Sequence, residues 1–278
     1  MAADPDEGLD EAGYITTGVD LAKVRAPFDA VLAEVSTRIR ATLQQDLHGL
    51  YLYGSVATGQ AVPPGSDVDL LAVVTTEHAV EMCHHLTEDL TNLYRPTVRD
   101  VAIGAGSLES FLAPTPAAEA NRCFLKHYCV SIAGVDLRTD LPRCRPDKAL
   151  AREFVGDLEG MIAGFRQQLQ DATSPSDVQA VAALVGRRLL MAAAVLYSIT
   201  DRTWTTARTS GAGMLTRHHP EYAEHAGRAL AWIGEPSRPG RAAPTIPDPS
   251  RKDVETVLDE LGALVMRDVR NHLSGERG

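Results

Sequence analysis

The sequence holds only four cysteines in 278 residues, Cys83, Cys123, Cys129 and Cys144, and no Cys-x-x-Cys pair. That scarcity argues against a disulfide framework, which small secreted chains use in place of a core they are too short to build. A chain of this length buries most of its unfolded surface without staples. A zinc site joining Cys83, His84 or His85 to Cys123 or Cys129 would match no common ligand spacing, so buried thiols are the favoured reading. Long hydrophobic runs are also missing. The longest, Leu189 to Tyr197, has nine residues, against the roughly 20 needed to cross a bilayer. The acidic start MAADPDEGLDEAG shows no basic segment leading into an apolar one, so no secretory signal is read and the cytoplasm is the expected compartment. Positive charge is in deficit, with 27 Lys and Arg against 37 Asp and Glu and a net charge of −10. A protein living on non-specific phosphate contacts needs a dense basic field instead. A Gly-x-x-x-x-Gly-Lys-Ser/Thr loop is absent too. Gly104-Ala-Gly106 and Gly211-Ala-Gly213 lack the third glycine of a dinucleotide fingerprint and are read as turns.

What is present is a soluble, globular composition, 44% hydrophobic and 23% charged, long enough for two domains. Residues 1–20 carry six acidic and no basic residues and are expected to form a disordered acidic tail. From Val24 to Leu43 apolar residues recur at helical spacing. Leu50 to Tyr53 reads as a buried strand ending at Gly54, and residues 67–74 as a second strand. A helix is expected from Glu77 to Tyr94, a third strand from Thr97 to Ile103, and a further helix from Ala117 to Val130. Pro142 and Pro146 mark the domain boundary, so residues 21–145 and 146–278 are the two expected domains. Beyond it the pattern is helical throughout, with helices around Phe154–Leu169, Asp177–Ser198 and Val254–Val269 and a proline-rich loop over 234–250. The second of these is apolar on several faces and is expected at the centre of a bundle. Arg187 and Arg188 on that helix need partners, and structural salt bridges are the favoured ones.

The chemistry concentrates in Leu50–Val74, LYLYGSVATGQAVPPGSDVDLLAVV. Gly54 lets a phosphate approach the backbone with no Cβ in the way. The amides around Ser55, if a helix starts there, offer donors to that phosphate. Ten residues separate Ser55 from Ser66, which opens Ser66-Asp67-Val68-Asp69. Asp67 and Asp69 are two apart on a strand, so both carboxylates leave the same face. Side by side they repel unless a cation lies between them, and oxygen-only ligands suit Mg²⁺. Asp100 can add a third carboxylate if its strand pairs beside them, with Glu109 and Glu119 as rivals. Separately, a Gly-Ser turn and an Asp-x-Asp strand start are commonplace. Their order between two strands is what carries meaning.

That order, Gly-Ser, ten residues, Ser-Asp-x-Asp, an apolar strand and a later strand Asp, resembles the polymerase-β-type nucleotidyltransferase superfamily. The resemblance implies an α+β fold: an N-terminal nucleotidyltransferase-type α/β domain with a small mixed sheet, followed by a C-terminal α-helical bundle. It implies that Gly54, Ser55 and Ser66 contact nucleotide phosphates. Asp67, Asp69 and Asp100 would hold two Mg²⁺ ions, with Asp100 also able to serve as base. The two-part layout resembles the streptomycin/spectinomycin-type aminoglycoside adenylyltransferases. Within that family pattern Arg208, after the hydrophobic helix and its aromatic turn, would reach the phosphates. The implied reaction moves an NMP, AMP being expected, from an NTP (ATP) to a hydroxyl of a small aminoglycoside-like molecule, releasing pyrophosphate. A tRNA or protein acceptor, or a non-catalytic nucleotide-binding module, are the alternatives. No membrane partner is expected.

Overall fold

The computed structural model describes residues 7–234 and 248–273. These divide into two compact units, one of residues 14–145 and one holding residues 146 onward with the described residues up to Gly13. The architecture is mixed α+β with a nucleotidyltransferase-like layout, as the sequence resemblance implies.

Of the acidic tail expected over residues 1–20, residues 1–6 lie outside the described residues. The remainder departs from the expectation, because it forms two short strands, β1 (Glu7–Leu9) and β2 (Ile15–Thr17). Apolar residues among the acids explain the difference: Ile15 is fully buried. Glu7 is also used structurally, accepting the Thr206 backbone N–H at 2.9 Å.

The first unit continues with α1 (Phe28–Leu43), β3 (Leu47–Tyr53), α2 (Gly54–Ala57), β4 (Val68–Val74) and α3 (Glu77–Tyr94). It ends with β5 (Val101–Ser107), α4 (Leu108–Leu112), α5 (Pro116–Tyr128) and β6 (Val130–Gly134). The four-stranded sheet has the order β5-β4-β3-β6. β4 runs antiparallel to β3 and parallel to β5, and β6 runs antiparallel to β3. Parallel neighbours need a crossover, and α3 supplies it, started by the Thr76 side chain on the Ala79 N–H. Val68, Leu70, Ala72 and Val74 alternate onto the face that packs with α1 and α3. Leu71, Val73, Tyr51 and Tyr53 face the other way, toward Phe111, Phe124 and Leu125. Each fully buried aliphatic side chain adds about 1.5–3 kcal/mol to the drive for burial, so a one-residue slip of β4 would expose a whole face.

Two expectations in this unit need correction. The third strand begins at Val101, not Thr97, because residues 97 and 98 instead close α3: both backbone N–H groups donate to the Tyr94 carbonyl, at 2.8 and 3.0 Å. Gly104 and Gly106 are not in a turn. They lie within β5, paired with Leu71 and Val73 of β4. β6 was not anticipated at all, since the five residues VSIAG directly follow a helix and show too few side chains for a pattern.

The second unit is helical: α6 (Lys148–Val155), α7 (Leu158–Asp171), α8 (Pro175–Thr200), α9 (Arg208–His218), α10 (Ala223–Trp232) and α11 (Arg251–Leu273). α8 packs against all five others, as its many-sided apolarity predicts. It is the one described helix long and apolar enough by composition to cross a membrane, and two thirds of its most apolar window is buried within the protein. Gly211-Ala-Gly213 is helical too, inside α9. Gly211 is needed for packing: a Cβ there would collide with the Leu190 carbonyl of α8. The proline-rich segment expected as a loop lies mostly outside the described residues. Arg188 departs from the salt bridge expected for it. Its Nη2 donates to the Val155 carbonyl at the end of α6, and burial lowers its pKa.

Candidate active site

Topology brings the motif residues to one end of the sheet. β3 runs toward that end and stops at Tyr53; β4 and β5 both start there. Tyr53 sits opposite Asp69, and Val68 sits beside Val101. The ladder extends past the strand starts, with Val68 N–H donating to the Asp100 carbonyl at 2.9 Å and Arg99 N–H to the Ser66 carbonyl at 3.1 Å. Gly54, Asp67, Asp69 and Asp100 therefore come from three neighbouring strand ends.

Gly54 is required on two grounds. Its φ of +74° is unfavourable for any side chain. A Cβ would also strike the Asp69 carboxylate, the nearest group to the bare Cα. The turn that follows is tied down by backbone bonds, Gln60 N–H and Ala61 N–H both donating to the Ser55 carbonyl at 2.9 and 3.1 Å. Thr58 Oγ1 adds a bond to the same carbonyl at 3.2 Å. Ser55 is thus the second residue of a fixed four-residue helix, α2, in which Tyr53 provides no side-chain cap.

Ser66 is buried. Its hydroxyl accepts the Val62 N–H at 2.9 Å, while its own N–H donates to the Val62 carbonyl at 3.0 Å. It closes the loop that delivers Asp67.

A strand running from Thr97 would put Arg99 on the face opposite Asp100, yet Arg99 is the residue that holds Asp67. Arg99 grips it with both arms of the guanidinium, Nε donating to Oδ1 at 2.7 Å and Nη2 to Oδ2. That pairing raises the Arg99 pKa further, with Asp69 and Asp100 adding charge attraction. Arg99 is thus a cation that feels all three carboxylates. Alternation misplaced it because β5 starts only at Val101, and the parity rule does not hold before a strand begins.

Asp100 accepts a hydrogen bond from Thr91 Oγ1 of α3, and the same hydroxyl accepts the Val101 N–H at 3.1 Å. Asp67, Asp69 and Asp100 do not draw close enough to form a single three-donor cluster; among the described residues that closeness occurs elsewhere, at Cys123, His127 and Cys144. Glu109 and Glu119 lie in the first turns of α4 and α5, where carboxylates complement the helix dipole. Arg208 belongs to the helical unit, as the first residue of α9. Its Nε is buried with no hydrogen-bond partner among the described residues.

In the helical unit Asp177 and Asp201 are spent on structure. Asp177 completes a capping box with Ser174. Asp201 pairs with Arg217 and His218, each at 2.9 Å.

A mixed sheet with Gly-Ser and Asp-x-Asp at one end, followed by a helical unit, is the layout of a nucleotidyltransferase-type fold. The solved structure of spectinomycin adenyltransferase AAD(9) from Enterococcus faecialis, with ATP and spectinomycin, is similar to this chain at a TM-score of 0.51 and 15% identity. The likeness covers 84% of this chain and 99% of that one. At that identity it bears on the fold. No family model matches the sequence, and no curated protein matches it.

Proposed function

We propose that the protein is a Mg²⁺-dependent nucleotidyltransferase that moves AMP from ATP to a hydroxyl of a small, aminoglycoside-like molecule and releases pyrophosphate. The observation that carries the reading is the juxtaposition of Gly54 and Asp69: a bare, positive-φ backbone position directly against a carboxylate at the start of the neighbouring strand. A simple turn needs no such approach. A site that seats a phosphate on backbone beside a cation-binding carboxylate does.

The donor set fits a hard cation. Asp67 and Asp69 offer only oxygen, and Asp67 already accepts a fixed positive group, Arg99. Mg²⁺ bound there would neutralise the phosphate oxygens and the departing pyrophosphate. In this reading Gly54 and Ser55 position the triphosphate through backbone contacts, while Ser66 keeps the Asp67 loop closed. Arg99 would give up its hold on Asp67 if that carboxylate held the cation. Asp100, released from Thr91, accepts the proton of the attacking hydroxyl. The small-molecule acceptor is supported by the two-part layout shared with AAD(9), whose structure contains spectinomycin.

The test is pyrophosphate release by the full chain with ATP, Mg²⁺ and a panel of aminoglycosides, spectinomycin included. Acceptor-dependent release abolished in Asp67→Asn and Asp69→Asn supports the reading. Label passing from α-labelled ATP to tRNA or protein, with no response to any small acceptor, would replace the acceptor. Binding of ATP without release under any condition would replace the enzyme with a nucleotide-binding module.

A further inference from the structure

We propose that Cys123, His127 and Cys144 form a zinc-class metal site that fastens the segment 140–147 to α5, independently of any nucleotide chemistry. One donor atom from each residue lies within 4.8 Å of the other two. In a tetrahedral zinc site with bonds of about 2.0–2.3 Å, donors are about 3.3–3.8 Å apart, so closing onto an ion asks for small movements only.

Three separate stretches of chain prepare the site. Cys123 and His127 are four apart on α5, so they leave one face of the helix a turn apart. Cys144 arrives from the segment after β6 and is fixed by its backbone on both sides. Its N–H donates to His127 Nε2 at 2.8 Å, and its carbonyl accepts the Ile15 N–H at 3.0 Å. The flanking residues clamp the same segment: the Arg143 and Arg145 guanidinium carbons sit 4.5 and 4.7 Å from the Tyr14 ring centre. Thr17 of β2 in turn donates to the His127 carbonyl.

The donor chemistry selects the ion. Two sulfurs and an imidazole are soft to borderline ligands, which suit zinc and not Mg²⁺ or Ca²⁺. The Cys144 N–H on Nε2 requires the ring proton to be on Nδ1; metal binding through Nε2 would exchange that hydrogen bond for the ion, so the Cys144 N–H must turn away as the site loads. Cys123 and His127 are buried while Cys144 is partly exposed, which gives the ion a route in. Three protein donors leave a fourth position for water. The sequence hid the site because its spacing, Cys-x₃-His and then sixteen residues to Cys, belongs to no familiar pattern. Cys83, the cysteine next to His84 and His85, is elsewhere, packed in the α1–α3 core as a buried thiol.

The experiment uses the full chain, reduced, equilibrated with Zn²⁺ and freed of excess by gel filtration. The expected result is about one zinc per chain and a higher melting temperature with zinc than after chelation. Co²⁺ in place of zinc should give tetrahedral visible bands and a thiolate charge-transfer band. Cys144→Ser should lose about half of that band and weaken zinc binding at least about tenfold. The partly exposed position of Cys144 keeps this variant foldable, and its metal-free melting temperature should match the chelated wild type. His127→Gln gives a second, independent loss of affinity. The proposal is overturned if reduced wild type retains no stoichiometric zinc, or if Cys144→Ser retains it equally. It is also overturned if peroxide joins Cys123 to Cys144, with two thiols oxidised to a disulfide and peroxide reduced to water, while the reduced chain takes up no metal. The pair would then be a redox couple.

Discussion

In the helical unit the Asp268 carboxylate is held by several partners at once, whereas at the sheet end of the α/β unit Asp67 has a single charged partner. Asp268 shows the first arrangement. It is buried on α11 and takes hydrogen bonds from Tyr197 at 2.9 Å, His219 at 2.7 Å and Arg267 at 3.1 Å. Asp67 shows the second. It has one charged partner, Arg99, whose side chain is 48% exposed. A carboxylate locked by three donors from three chain positions stabilises a fold; one held by a single exposed arginine at a strand start can change hands. The two carboxylates therefore differ in how firmly each is held, and each substitution below pushes on one side of that difference.

The largest effect belongs to the sheet end. Asp69→Asn should lower acceptor-dependent pyrophosphate release by about 10³-fold or more, since a lost cation ligand costs several kcal/mol of charge stabilisation. The urea midpoint should stay near that of the wild type. Activity lost together with stability would make Asp69 a structural carboxylate like Asp268.

Asp268→Ala should do the reverse. Removing it leaves the Tyr197 hydroxyl buried without its acceptor, a cost of about 2–3 kcal/mol that urea unfolding will read. The same group gives the unit a pH dependence. Burial pushes its pKa up, but hydrogen bonds from Tyr197, Arg267 and His219 outweigh burial and hold it below the ordinary carboxylate value. Its contribution is therefore complete above the unfolded carboxylate pKa of about 3.9 and is lost as pH falls through the lower folded value. Wild type should lose more stability than Asp268→Asn between about pH 5 and pH 2. Parallel loss in the two would show that the carboxylate is not charged in the folded chain.

How legible these two arrangements were follows from their physics. α3 could be read because its apolar residues recur at helical spacing, and the Thr76 cap seen in the structure fixes where it begins. Gly54, Asp67 and Asp69 could be singled out because the order of Gly-Ser and Asp-x-Asp between two strands is a pattern local in the sequence. Arg99 and Thr91 could not, because their roles depend on where β5 starts. That start is set by pairing with β4, across residues such as Gly104 and Gly106 with little strand propensity of their own. The Asp268 network joins α8, α9 and α11, and no local pattern reports a contact of that kind. The cysteine cluster was hidden for the same reason: it closes across three segments.

Gly54→Ala tests whether the close approach matters for more than folding. The positive φ and the collision with Asp69 together should cost about 1–3 kcal/mol of stability, read from the urea midpoint. They should also raise the KM for ATP by displacing Asp69. Lost stability with an unchanged KM would confine Gly54 to the turn.

Arg99→Gln should have the smallest effect on stability, and its direction is the more informative quantity. The Arg99–Asp67 pair is bidentate, but both partners meet solvent, at 48% and 22% exposure. Such pairs contribute about 0.2–1 kcal/mol and are weakened by salt, so the urea midpoint should move little. If Arg99 holds the place of the incoming cation, its removal lets Asp67 bind Mg²⁺ without first breaking an ion pair. The Mg²⁺ concentration for half-maximal pyrophosphate release should then fall. Were Arg99 instead a phosphate-binding residue, Arg99→Gln would raise the KM for ATP and leave the Mg²⁺ midpoint unchanged. Asp67 would then remain tied to a structural partner, in the manner of Asp268, and the distinction between the two units would rest on Asp69 alone.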